Sequence, residues 1–230
     1  TPNNKKRCET DNPFLSYFNR HTEGAGIWKW EHYFDIYQQH FSKFIGQEVH
    51  IMEVGVYSGG SLGMWREVFG AKGHVYGVDI EEACKEYTDD NIEIFIGNQA
   101  DRSFWKDIKL KVPILDILVD DGGHHPEQQR ITMEEMLPYL KPGGIYLCED
   151  IHGTENHFAA YVQGFSKRIN EMECKEMPNG VSGLASDLSN FQKAIYAIHL
   201  YPFCLVIEKR DEALSQFKAP KHGNKWQPFI

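Results

Sequence analysis

Two apolar runs in this chain end in paired acids. Leu115 to His125 reads LDILVDDGGHH, and Ile145 to His152 reads IYLCEDIH. Both lie downstream of a glycine-rich stretch, EVGVYSGGS, at Glu53 to Ser61. In an open α/β sheet, neighbouring strands deliver their C-terminal ends to one crevice. The pattern therefore predicts Asp120, Asp121, His124, Glu149 and Asp150 around one ligand. Four carboxylates do not share a crevice in ionised form unless a cation joins them. A divalent metal and a general base beside a bound cofactor are the resulting expectation.

The rest of the chain is consistent with such a sheet. Between Trp28 and Ile45, Trp30, Tyr33, Phe34, Tyr37, Phe41 and Phe44 recur at three- and four-residue steps, which predicts an amphipathic helix. Strand-like and helix-like segments then alternate. Strands are expected at His50–Val56, His74–Ile80, Ile92–Ile96, Leu115–Val119 and Ile145–Cys148, with helices at Ser61–Phe69, Arg102–Ile108, Glu127–Leu140 and His157–Met172. Pro126 suits the first turn of its helix, and Lys141-Pro142-Gly143-Gly144 reads as the stop. Ala194–Leu200 and Phe203–Lys209, joined through Tyr201-Pro202, read as an antiparallel hairpin. This order implies an α/β fold: a doubly wound, seven-stranded, mainly parallel sheet with an antiparallel last strand at its edge. Residues 1–27 read as a polar arm, 28–210 as the main domain, 178–190 as a loop and 211–230 as a polar tail.

The formal charge of −9 disfavours a nucleic-acid partner, which calls for a basic face. No run approaches the ~20 apolar residues of a membrane span. Five cysteines without C-x-x-C spacing favour a reducing, cytoplasmic setting. The chain starts at Thr1 rather than Met, as expected of a processed chain or a piece of a longer protein.

The glycine-rich stretch leaves a strand and enters a helix, a place for close backbone approach and for anion binding at free N–H groups. Glu53, Gly55, Tyr57, Ser58, Gly59 and Ser61 are candidate cofactor residues. Asp79, followed by Ile80, ends the second strand with an acid suited to ribose hydroxyls. Gln99 and Ala100 follow the third strand, where an adenine would lie. A nicotinamide dinucleotide and S-adenosylmethionine both use this plan, but the dinucleotide fingerprint is G-x-G-x-x-G. Here the spacing is G-x-x-x-G-G with an acid two residues earlier, which resembles motif I of class I methyltransferases.

Methyl transfer to an alcohol needs alignment and removal of a tightly held proton. A divalent cation acidifies a coordinated hydroxyl, and Mg²⁺ prefers oxygen ligands. Asp121, Glu149 and Asp150 are the candidate ligands. His124, three residues after Asp121, is the candidate base. Asp120 is suited either to the cofactor's ammonium group or to supporting the turn. His152 and His157 are candidates to line a substrate pocket.

The runs DDGGHH and KPGGIYLCED resemble the metal-dependent O-methyltransferases that modify macrolide sugars. The resemblance extends over about Trp28 to Lys209. It implies S-adenosylmethionine and Mg²⁺ as cofactors, Asp121, Glu149 and Asp150 on the metal, and His124 as base. It also places Trp30 and Tyr33, in the WKWEHY segment, against the cofactor. The expected acceptor is a sugar hydroxyl of a glycan or glycosylated natural product. A glycosyltransferase in the same longer protein and a homo-oligomer built on the aromatic N-terminal helix are further expectations. Two rival readings are a catechol-type enzyme acting on an aromatic diol and a non-catalytic module that only binds the cofactor.

Overall fold

The structure is a computed structural model and describes residues 12–153 and 156–225. The chain's polar start at Thr1–Cys8 lies outside them. Helix α1 (Pro13–Arg20) and helix α2 (Glu31–Phe41) precede the first strand. There follow β1 (Val49–Val54), α3 (Gly60–Phe69), β2 (Gly73–Asp79), β3 (Ile92–Ile96), α4 (Arg102–Ile108), β4 (Leu115–Asp120), α5 (Pro126–Met136) and β5 (Leu140–Cys148). The last third holds α6 (His157–Ile169), β6 (Glu173–Glu176), β7 (Gly183–Asp187), α7 (Asn190–Ala194), β8 (Ile195–Tyr201), β9 (Cys204–Lys209) and β10 (Gln216–Pro220).

The main sheet has seven strands in the order β3-β2-β1-β4-β5-β9-β8. β1 to β5 run parallel, and β9 is antiparallel to both β5 and β8. The antiparallel strand therefore lies inside the sheet, and β8 forms the edge. Successive residues of a strand face opposite sides. Ile51, Ile117, Ile145 and Val206 pack with α1, α2 and α3 on one face; Met52, Leu118, Tyr146 and Leu205 pack with α4, α5 and α6 on the other. Burial on both faces explains why the central strands are apolar throughout.

Several segments differ from the sequence reading. The expected polar arm contains α1: Asn12 caps it through the Phe14 and Leu15 amides, and Phe14 is fully buried among Tyr37, Phe41, Trp65 and Phe69. Leu15, Tyr17 and Phe18 of the same helix pack partly buried against that cluster, so the segment is amphipathic rather than polar. Helix α2 begins at Glu31, so Trp28–Trp30 lies ahead of it, with Trp30 at its extended N-cap position. Lys141-Pro142-Gly143-Gly144 lies within β5 at a register shift, because α5 has already ended at Met136. The expected loop and tail supply β7 and β10, which join β6 in a separate three-stranded sheet.

Candidate active site

The chain order reverses between β1 and β4, and a cavity of about 900 Å³ opens at the C-terminal strand ends there. That is where open α/β sheets hold ligands, and the size suits a nucleoside-sized cofactor plus part of a second molecule.

At one end the cavity is bounded by Tyr57, Asp79, Ile80 and Gln99. Asp79 Oδ2 accepts the Val56 and Tyr57 amides at 2.8 and 3.0 Å, and Oδ1 accepts the Glu81 amide at 3.0 Å. Burial opposes the charge of Asp79, but these N–H donors outweigh it and hold its carboxyl below the usual range. Asp79 thus fixes the glycine-rich loop. Gly55 has φ 91°, and a Cβ there would lie 2.0 Å from the Asp121 carbonyl oxygen. Only glycine lets the β1 and β4 exits come this close.

The turn after β4 is braced from behind. Asp120, 1% exposed, accepts from Gln99 Nε2 at 3.0 Å and from the Tyr146 hydroxyl at 3.3 Å. Gln99 Oε1 accepts the Gly123 amide at 2.8 Å, and a Cβ on Gly122 would fall 2.0 Å from that oxygen. Burial pushes the Asp120 carboxyl up to about 6. Of the two roles open to it in sequence, its contacts are those of turn support.

The opposite end gathers the acids. Asp150 Oδ1 accepts from the Tyr33 hydroxyl at 2.8 Å and from Trp30 Nε1 at 3.1 Å; Asp150 Oδ2 faces His124 Nε2 at 3.6 Å. Metal-ligating atoms of Asp121, His124 and Asp150 lie within 4.8 Å of one another. The buried Nδ1 of His124 has no hydrogen-bond partner. Tyr57, His124, Asp150 and Phe203 all have left-handed backbone, with φ from 50° to 61°. Such strain in residues other than glycine concentrates at functional sites.

Lys29 was not singled out in the sequence. Its ammonium, on a side chain 3% exposed, lies 3.0 Å from Glu53 Oε1, 2.6 Å from Asp121 Oδ2 and 3.1 Å from Glu149 Oε2. Burial opposes its charge, but attraction to Asp121, Glu149 and Glu53 outweighs it and raises its pKa well above the ordinary value. Glu149 donates nothing to this network but accepts at both oxygens, from Tyr37 and from Lys29. Burial raises the pKa of Glu149 well above normal against the pull of Lys29. Glu53 also accepts from Ser61 Oγ at 2.6 Å and from Trp65 Nε1 at 3.1 Å. The only hint in the sequence was position: a lysine between two tryptophans directly ahead of an aromatic helix.

Trp30, Tyr33, Gly55, Tyr57, Asp79, Ile80, Gln99, Asp121, His124, Glu149, Asp150 and His152 line the cavity. Glu53, Ser58, Gly59, Ser61, Ala100, Asp120 and His157 do not.

Residues 52–151 match the family model described as a methyltransferase domain. The MycE methyltransferase of the mycinamycin biosynthetic pathway, solved with Mg and SAH, superposes with a TM-score of 0.68 at 26% identity, covering 87% of this chain and 54% of that one. The chain is 33% identical over 146 residues to mycinamicin VI 2''-O-methyltransferase of Micromonospora griseorubida, covering 60% of this chain and 34% of that protein. The chain is thus similar to O-methyltransferases of glycosylated natural products. A rhamnosyl tetracenomycin-C 2'-O-methyltransferase of Streptomyces olivaceus is 28% identical over 203 residues, with 81% of this chain and 52% of that protein covered. The chain spans between a third and about half the length of these curated relatives. Its sheet is that of the class I methyltransferases.

Among the described residues, no helix is long and apolar enough to cross a membrane.

Proposed function

We propose that this chain is an S-adenosylmethionine- and Mg²⁺-dependent O-methyltransferase acting on a sugar hydroxyl of a glycosylated natural product or glycan. The observation that carries the reading is the convergence of Asp121, His124 and Asp150 at one end of a nucleoside-sized cavity. The relatives' printed activities are O-methylations, two on rhamnosyl tetracenomycin-C compounds and one on olivosyl-oleandolide, and these support the acceptor class.

The residues fit both groups. Asp79 and Gln99 border the end suited to the adenosyl moiety. Lys29 takes one oxygen of Asp121, and Trp30 and Tyr33 take one oxygen of Asp150. Each acid thus keeps a second oxygen for an ion, and Mg²⁺ commonly binds through one or two carboxylates. In this reading Asp121 and Asp150 are the metal ligands, and Glu149 holds Lys29 in place. S-adenosylmethionine supplies the methyl group as a sulfonium, and the metal makes the acceptor hydroxyl more acidic. His124 takes the hydroxyl proton at the ring nitrogen that faces Asp150. The Lys29 ammonium ties Glu53, Asp121 and Glu149 together, which holds the strand ends in place. Trp30 and Tyr33 orient Asp150.

The test is methyl transfer to a panel of glycosides and to catechol, with and without chelator. A methylated glycoside that disappears on chelation is the expected product. Transfer to catechol alone, or cofactor binding with no transfer to any diol, overturns the reading.

A cytoplasmic setting agrees with this activity. A homo-oligomer and a glycosyltransferase in the same longer protein remain part of the proposal, to be checked by light scattering and by sequencing the full gene.

A further inference from the structure

Beyond the metal-side acids, one wall of the site is made of rings. Trp30 and Phe203 lie 5.3 Å apart at 45°, Phe203 and His152 6.1 Å apart at 89°, and His152 and His124 6.5 Å apart. These rings form an arc beside Asp150. Trp30 and His152 line the cavity, and the Phe203 ring packs against both. Trp30 is 51% exposed and Phe203 39%. Large aromatics left open together at a cavity mouth mark a binding surface.

Three features show that the arc is held in place. The Trp30 indole N–H is tied to Asp150 Oδ1 at 3.1 Å, which fixes the ring beside a candidate metal ligand. The Phe203 carbonyl accepts the Ile151 amide at 2.9 Å and the Tyr33 hydroxyl at 3.3 Å. Phe203 keeps a left-handed backbone at φ 61°, a strained state for an aromatic residue that the surroundings must maintain.

Sheet order separates this arc from the cofactor end. Asp79 ends β2, whereas Asp150 follows β5 and Phe203 precedes β9, on the far side of β1 and β4. Trp30 and Phe203 are thus placed for the second molecule in the cavity. A pyranose has a C–H face that packs on aromatic rings and hydroxyls at its edge that reach polar groups. Rings next to Asp150 and His124 match both features at once.

We propose that Trp30, His152 and Phe203 form the acceptor subsite, where the apolar face of a sugar ring is seated with its hydroxyls toward Asp150 and His124; this rests on the reading given under Proposed function. Trp30 is then an acceptor residue rather than a cofactor residue.

The test uses the intact chain saturated with S-adenosylhomocysteine and Mg²⁺. Methyl hexopyranosides and catechol are the probes, followed by calorimetric titration and saturation-transfer NMR. Phe203→Ala and Trp30→Ala are expected to weaken glycoside binding about tenfold, with S-adenosylhomocysteine affinity changed by less than about twofold. Phe203→Ala touches neither acid, so it stays informative if Trp30→Ala fails to fold. Unchanged glycoside affinity in Phe203→Ala overturns the subsite. So does a loss of S-adenosylhomocysteine affinity in that variant, or a wild-type chain that binds catechol but no glycoside. Because binding is the readout, glycosides that bind at the arc but are never methylated would sink the proposed activity and leave the subsite standing.

Discussion

The Lys29 ammonium lies 2.6 Å from the Asp121 carboxylate, across 92 residues of sequence. It also meets Glu53 and Glu149, so one buried cation joins acids from three strand ends. Removing one partner from such a cluster leaves buried charge uncompensated. Lys29→Met is therefore expected to lower stability by about 3–5 kcal/mol at neutral pH. Millimolar Mg²⁺ should recover part of the loss. Urea unfolding with and without the ion measures both, and an unchanged midpoint would contradict the role given to Lys29.

His124 is expected to act in the chemistry and not in the fold. His124→Ala should reduce kcat by about 10²–10⁴-fold, the usual worth of a general base. S-adenosylhomocysteine affinity, measured by calorimetry, should stay as in the wild type. An acceptor acidic enough to need no base would show near-normal turnover instead.

Gly55 has no room for a side chain, since its φ is 91° and a Cβ would press on the Asp121 carbonyl. Gly55→Ala should cost about 1–3 kcal/mol from the backbone alone. It should also abolish cofactor binding, because the β1 and β4 exits must part. Thermal melts with and without S-adenosylhomocysteine separate the two effects.

His40 offers a pH test away from the cavity. Its Nδ1 meets Glu208 at 2.7 Å and its Nε2 meets the Tyr201 hydroxyl at 2.8 Å. Burial, reinforced by His199, lowers its pKa despite Glu208. The folded state therefore holds fewer protons on His40 than the unfolded chain, and stability rises with pH in this window. The contribution is complete above the unfolded value of about 6.5 and fades as pH falls. Urea midpoints at pH 7.5 and 5.5 should differ more for the wild type than for His40→Gln. An equal difference would remove His40 as the cause.

Much of the fold was legible because the central strands are continuous apolar runs with distinct endings. Asp121, His124, Glu149 and Asp150 could be placed together from those endings and strand order alone. Lys29 could not, since helical periodicity assigns no direction to a residue ahead of the first turn. Its inward position follows from charges that only the folded sheet assembles. The small sheet of β6, β7 and β10 was hidden for another reason. Its strands are short and mostly exposed, and β10 pairs with β7 across a long stretch that includes α7, β8 and β9. α1 was passed over although Phe14, Leu15, Tyr17 and Phe18 all pack on the core, because its 8 residues are too few to display a helical period.

The recognised family segment begins at residue 52, yet the positive charge neutralising its interior comes from residue 29. A fragment trimmed to that segment would keep every acid and lose the counter-ion, leaving surplus negative charge at its heart. The smallest piece worth expressing on its own therefore starts well upstream of the motif that identifies it.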